Sequence, residues 1–111
     1  DLQEHGAMHE STAVLAFLPA PLKLKQPLLV AIKFWPDGPV EAHFVDALLF
    51  GTGEDEITAL DDLRENMLSA WFRLSKTPHA SLARPASRMW QALDATCEEV
   101  VSEKNLGLAT V

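Results

Sequence analysis

Four histidines, one cysteine and a band of acids are the residues of this chain with chemistry to offer. His5 and His9 stand four apart, the step that sets two imidazoles on one helical face, with Glu4 and Glu10 beside them. The segment around them is polar and carries no helical period, so a metal site is not expected there. His43 alternates with Glu41 and Val45 on what reads as a strand. Its ordinary role is a half-exposed strand histidine; the sharper one is a titrating or partner-contacting group. His79 follows a proline in a connector and is expected in solvent. Cys97 falls in step with Leu93 and Val101, which predicts a buried, inert thiol rather than a nucleophile.

Gly51-Thr52-Gly53 ahead of a helix has the outline of a phosphate loop. The residues that follow are Glu54, Asp55 and Glu56, with no lysine or arginine directly after the glycines. Their sign repels an anion, and the Walker spacing is not met. No nucleophile with its base, carboxylate pair or metal cluster emerges from these spacings. The expectation is a protein that is not an enzyme and takes no cofactor and no metal.

The acids themselves are the strongest charged group: Asp46, Glu54, Asp55, Glu56, Asp61 and Asp62. One reading is a solvated helix N-terminus whose dipole favours negative charge. The other is a patch complementary to a cationic partner. Trp71 and Trp90 fall in apolar stripes and are expected in the core. Trp35 stands at a strand end beside a turn, where it is placed to anchor a contact. The candidate partner-binding residues are therefore Trp35, Glu41, His43, Asp46, Glu54, Asp55 and Glu56.

The elements that must position them are legible in part. Ile57, Leu60, Leu63, Met67, Trp71 and Leu74 recur at steps of three and four with no glycine or proline between them. They predict one long amphipathic helix over 55–76, N-capped by Asp55 and ended before Pro78. Leu28–Trp35 predicts a strand with Val30, Ile32 and Phe34 on one face and Leu29, Ala31, Lys33 and Trp35 on the other. With a single charge in the run, both faces are expected to be at least partly covered. Pro36-Asp37-Gly38-Pro39 is a turn, and Val40 to Asp46 returns with Val40, Ala42 and Phe44 inward. Ala47 to Phe50 either prolongs that strand or starts a third.

Pro85 fits the first turn of a second helix. Its stripe runs Ala86, Met89, Trp90, Leu93, Cys97, Val100 and Val101, with Asn105 and Gly107 as stop signals. Residues 1–12 read as a flexible leader. Ala13 to Leu18 reads as a short strand or an apolar arm, and Pro19, Pro21 and Pro27 mark a linker. The expected architecture is α+β: a small antiparallel sheet of two to four strands against a long helix, plus a second C-terminal helix. It forms a single domain over residues 13–104, with a tail over 105–111.

The totals agree. At 111 residues, 48% hydrophobic and 23% charged, the chain is long and apolar enough for one buried core. A net charge of −7 argues against nonspecific nucleic-acid or anionic-membrane binding, which needs an excess of Lys and Arg. It suits a basic protein partner as well as plain solubility. One cysteine forms no internal disulfide, and no apolar run approaches a membrane span. The expected location is the cytoplasm.

With those pieces in order, Ala31 to Leu74 resembles the HicB-like antitoxin superfamily, in an uncharacterised prokaryotic branch. The resemblance is carried by Pro36-Asp37-Gly38, the strand Val40 to Asp46, and Gly51-Thr52-Gly53-Glu54-Asp55-Glu56-Ile57-Thr58-Ala59-Leu60 leading into the long helix. Asp55 stands where the family has a capping Thr, and Thr58 where it has the capping-box Glu. The family's C-terminal DNA-binding domain has no counterpart after the second helix, so operator binding is not expected. The resemblance implies a partial ribonuclease-H-like domain without catalytic carboxylates. Such a domain acts by binding: it oligomerises as a homodimer or tetramer, and in antitoxins it covers a small basic toxin. The competing expectations are a self-associating structural module and, third, a small histidine-dependent metal protein or enzyme.

Overall fold

Alternating apolar side chains in the middle of the chain build the sheet that everything else packs on. The computed structural model describes residues 8–100. Within them, β1 is His9–Leu15, β2 Leu22–Leu24, β3 Leu28–Phe34, β4 Val40–Phe44 and β5 Leu49–Gly53. The long helix α1 is Glu56–Ser75, α2 is Arg84–Thr96, and β6 is Cys97–Glu99. Strands β1, β3, β4 and β5 form one antiparallel sheet in the order β1-β3-β4-β5, and β2 pairs with β6 in a second, two-stranded one. The protein is thus an α+β domain whose four-stranded sheet carries both helices on one side.

Val30 and Ile32 of β3 and Val40, Ala42 and Phe44 of β4 are buried on that side, as their period-2 spacing requires. They join Ala59, Leu60, Leu63, Met67, Ala70, Trp71 and Leu74 of α1 in a single core cluster. The helix starts where expected. Asp55 Oδ1 accepts from the Thr58 N–H at 2.8 Å and from the Thr58 hydroxyl at 2.7 Å. Thr58 therefore answers the cap through its side chain instead of returning a bond to the backbone as a Glu would.

Between β4 and β5 the chain makes a 3-10 turn, Val45–Ala47, closed by Leu48 at φ 58°, ψ 33° with its N–H on the Val45 carbonyl. A leucine in the left-handed region costs about 1–2 kcal/mol. The surrounding ladder holds it there.

Several expectations are corrected. The strand β1 begins at His9, inside the stretch read as leader, and pairs residue for residue with β3 from His9↔Phe34 to Leu15↔Leu28. Its first four residues are exposed, so no apolar alternation announces it. The proline-marked linker contains β2, which closes a ladder with β6.

The second helix ends at Thr96, short of the expected stop. Cys97, at φ −121°, ψ 159°, turns extended. Cys97 keeps its burial by strand geometry, while Val100 is exposed. Leu22–Leu24 offers ladder partners that a continued helix would leave unpaired. Asn105 and Gly107 lie outside the described residues. Ile57, counted in the buried stripe of the long helix, is 72% exposed in the first turn. The outer face of β3, expected to be partly covered, leaves Leu29 71% exposed.

Gly51 is where helix and sheet come closest. A Cβ there would lie 2.5 Å from the Ala59 carbonyl oxygen and closer still to the Leu63 backbone nitrogen. At Gly53 the same atom would meet the Thr58 Cβ at 2.5 Å and the Ala59 nitrogen at 2.6 Å. The G-x-G pattern is therefore a packing device that lets α1 lie with its backbone directly against β5. Gly51→Ala should cost at least about 2 kcal/mol by forcing the two apart, a fall in Tm of roughly 10 °C. Gly38→Ala, whose added carbon would meet Trp35 Cβ at 3.2 Å in an open turn, should cost clearly less in the same thermal melts.

Candidate functional site

Because both helices gather on one side, the opposite side of the sheet is assembled only from alternate strand residues. The registers place them in rows. Thr12, Ala31, His43 and Phe50 stand side by side across β1, β3, β4 and β5. Glu10, Lys33, Glu41 and Thr52 form the next row, and Val14 and Leu29 lie on the other flank of the first. Phe50 is 48% exposed, and Val14, Leu29 and Trp35 are exposed with it. Exposed large apolar side chains gathered on one face mark a contact surface more often than scattered ones do.

Three of the candidate residues come together here. His43 Nε2 is 2.9 Å from Glu41 Oε1, and the imidazole stacks on Phe50 with centroids 5.2 Å apart and planes 13° from parallel. The hydrogen bond from His43, then that from Trp35, holds the Glu41 carboxyl below its usual value, with Lys33 adding to the effect. Charges in this row alternate, acid–base–acid from Glu10 through Lys33 to Glu41, which stabilises cross-strand neighbours. Asp46 joins the site from the 3-10 turn. With His43, Leu29 and Val45 it lines a depression of about 230 Å³ where β3 runs on past the end of β4.

The other acids divide. Asp55 is committed to capping α1. Asp61 is bonded to Arg64 at 2.6 Å, and Asp62 accepts from the Thr52 N–H at 2.9 Å. Glu54 and Glu56 flank the cap at the start of α1, away from the residues lining the depression. Three acids of the constellation, Asp55, Asp61 and Asp62, thus bond to groups of the chain itself. Leu29 and Phe50 were missed as site residues. Leu29 already read as outward from period 2; Phe50 needed the position of β5.

The remaining histidines stand apart. His9 lies on the helix-bearing side of β1, its ring 5.8 Å from that of Phe34. It is in a strand, so the four-residue helical step to His5 does not apply to it; His5 lies outside the described residues. His79 is exposed and packs beside Trp90 at 5.1 Å. Among the described residues no three His, Cys, Asp or Glu side chains gather to hold a metal, and no helix is long and apolar enough to cross a membrane. Trp71, buried, meets the partly buried Trp90 at 4.8 Å, with the Trp71 indole N–H donating to Glu99 at 3.2 Å.

Cys97 is fully buried, and burial pushes its thiol up to about 11. A thiol reagent at neutral pH should react with the native chain orders of magnitude more slowly than with the urea-unfolded one; equal rates would contradict that burial. Glu41 gives a pH prediction. A carboxyl held low in the folded state contributes stability fully present above the ordinary 4.5 and lost as pH falls through its own lower value. Urea melts should show Glu41→Gln less stable than the wild type at pH 7, with the gap closing toward pH 3.

Compared with protein-family models, with curated proteins and with solved structures, the chain finds no match.

Proposed function

We propose that this chain is a non-enzymatic interaction module that holds another polypeptide against the bare face of its sheet. The observation that carries the reading is that face itself. Leu29, Val14 and Phe50 stand exposed on it, with Trp35 at the strand end, the Glu41–His43 pair in its middle and a depression beside Asp46. Aromatic and aliphatic anchors bordered by polar groups are the usual make-up of a protein contact. The chemistry of a catalytic site would need titratable groups converging in a cleft. Here the paired imidazole lies flat on a phenylalanine ring.

The partner this surface suits is a small basic protein. Glu10, Glu41 and Asp46 border the apolar residues, Lys33 is placed between two of those acids, and the chain as a whole carries −7. That is the role which the likeness to HicB-like antitoxins implies: covering a cationic toxin. The work is binding, driven by burial of the apolar patch and guided by charge.

The test is co-expression with the product of the adjoining reading frame, a small basic protein on this reading. The wild-type chain should co-purify with it stoichiometrically. Leu29→Asp and Phe50→Ser, both at exposed positions, should each weaken the complex by about tenfold or more while leaving the circular dichroism spectrum unchanged. Absence of a complex, or one indifferent to both substitutions, overturns the proposal.

A further inference from the structure

A sheet has two edges, and in this one they are finished differently. At the β5 edge, the Asp62 carboxylate accepts from the Thr52 N–H at 2.9 Å and the Asn66 amide donates to the Phe50 carbonyl at 2.7 Å. Two side chains of α1 thus occupy the backbone groups that another strand would need. The same bonds reveal the phase of the ladder. If residues 50 and 52 point their backbone groups outward, then Leu49, Gly51 and Gly53 bond to β4, and antiparallel alternation carries the pattern across the sheet. It reaches β1 with His9, Ser11, Ala13 and Leu15 bonded to β3. Glu10, Thr12 and Val14 are left with their N–H and C=O groups directed away from the sheet.

Of the devices that protect an exposed edge, this strand carries only the charge of Glu10. β1 is seven residues long, contains no proline and no lysine, and pairs in unbroken register without a bulge. Among the described residues no element lies beside it. Glu10 itself sits opposite Lys33 on the neighbouring strand.

We propose that this edge pairs with the same edge of a second copy, making one antiparallel sheet continuous through both. A two-fold axis at Thr12 sets Thr12 against Thr12, Glu10 against Val14 and Val14 against Glu10. Each outward residue then exchanges both backbone bonds with its counterpart. No like charges face each other, and a Thr–Thr pair is among the favourable cross-strand pairs. A second copy is favoured over a foreign strand because the register is self-complementary, as an isologous contact requires. The contact runs along the edge and leaves the bare face open, so it is independent of the binding proposed above.

Sedimentation equilibrium of the full chain, from low to high micromolar concentration, is the experiment. The wild type should be a reversible dimer, with amide exchange at Glu10, Thr12 and Val14 slowing as concentration rises. Thr12→Pro removes an outward N–H that β3 does not use, and Thr12→Lys sets two like charges across the axis. Each should weaken dimerisation by about tenfold or more, the second serving if the proline variant fails to fold. Phe50→Ser, on the far strand, should leave the dimer unchanged. A monomer at all concentrations overturns the proposal, as does a dimer indifferent to both Thr12 variants or one abolished by Phe50→Ser. Either of the first two results leaves the toxin-binding test standing, and loss of that binding leaves this one standing.

Discussion

The contact on which this structure depends is the one between the backbone of α1 and the backbone of β5 at Gly51. With no side chain between them, the helix sits close enough for Leu63 and Ala59 to take the space a Cβ would need. That closeness brings Asp62 and Asn66 within reach of the edge of β5. It also sets the Asp55 cap immediately after the strand, so that sheet, turn and helix form one rigid corner. The rest of the core follows from that placement, with the apolar stripe of α1 lowered onto β4 and β5.

The same placement has a cost on the other side of the sheet. One long helix and one short one are gathered on a single face, and α2 reaches the core through Leu93 and the Trp71–Trp90 contact. Nothing is left among the described residues to cover Leu29, Val14 and Phe50. In a chain of this size the surface that cannot be buried is large, and here it is concentrated on a flat face. Polar residues soften that face: the Glu10–Lys33–Glu41 row runs beside the apolar row and keeps it from being uniformly greasy. The result is a surface with anchors and a charge pattern, which is what recognition of another chain requires.

The two edges belong to the same account. β5 is blocked as a by-product of helix packing, because the polar face of α1 turns Asp62 and Asn66 toward it. β1, lying two strands away from β4, is beyond the reach of that helix. The loop after it is fastened instead, by Arg64 donating to the Phe17 carbonyl at 3.2 Å with its guanidinium 4.0 Å above the Phe17 ring. The strand is held in place at its C-terminal end while its outer backbone stays available.

Much of this was legible in the chain by itself. Period-2 alternation in Val30, Ile32, Val40, Ala42 and Phe44, and the three-and-four spacing from Leu60 to Leu74, are local signals that determine which face is buried. So are the Asp55 cap and the Pro36–Pro39 turn. The ends of the described stretch were not legible in the same way. β1 is exposed at its start and carries no pattern; it is a strand because β3 supplies a ladder. Cys97 to Glu99 leave a helical stripe because Leu22–Leu24 waits to pair with them.

In the site, Glu41 and His43 were visible as neighbours on one strand face, whereas Phe50 was not, since only the β4–β5 register brings it under the imidazole. The packing role of the glycines was hidden for a related reason. A sequence shows that Gly51 lacks a side chain, but only the packed helix shows what fills the space. Local periodicity thus decided the elements and their inner faces. Long-range pairing, which no short window contains, decided where the chain is bare and where it is closed.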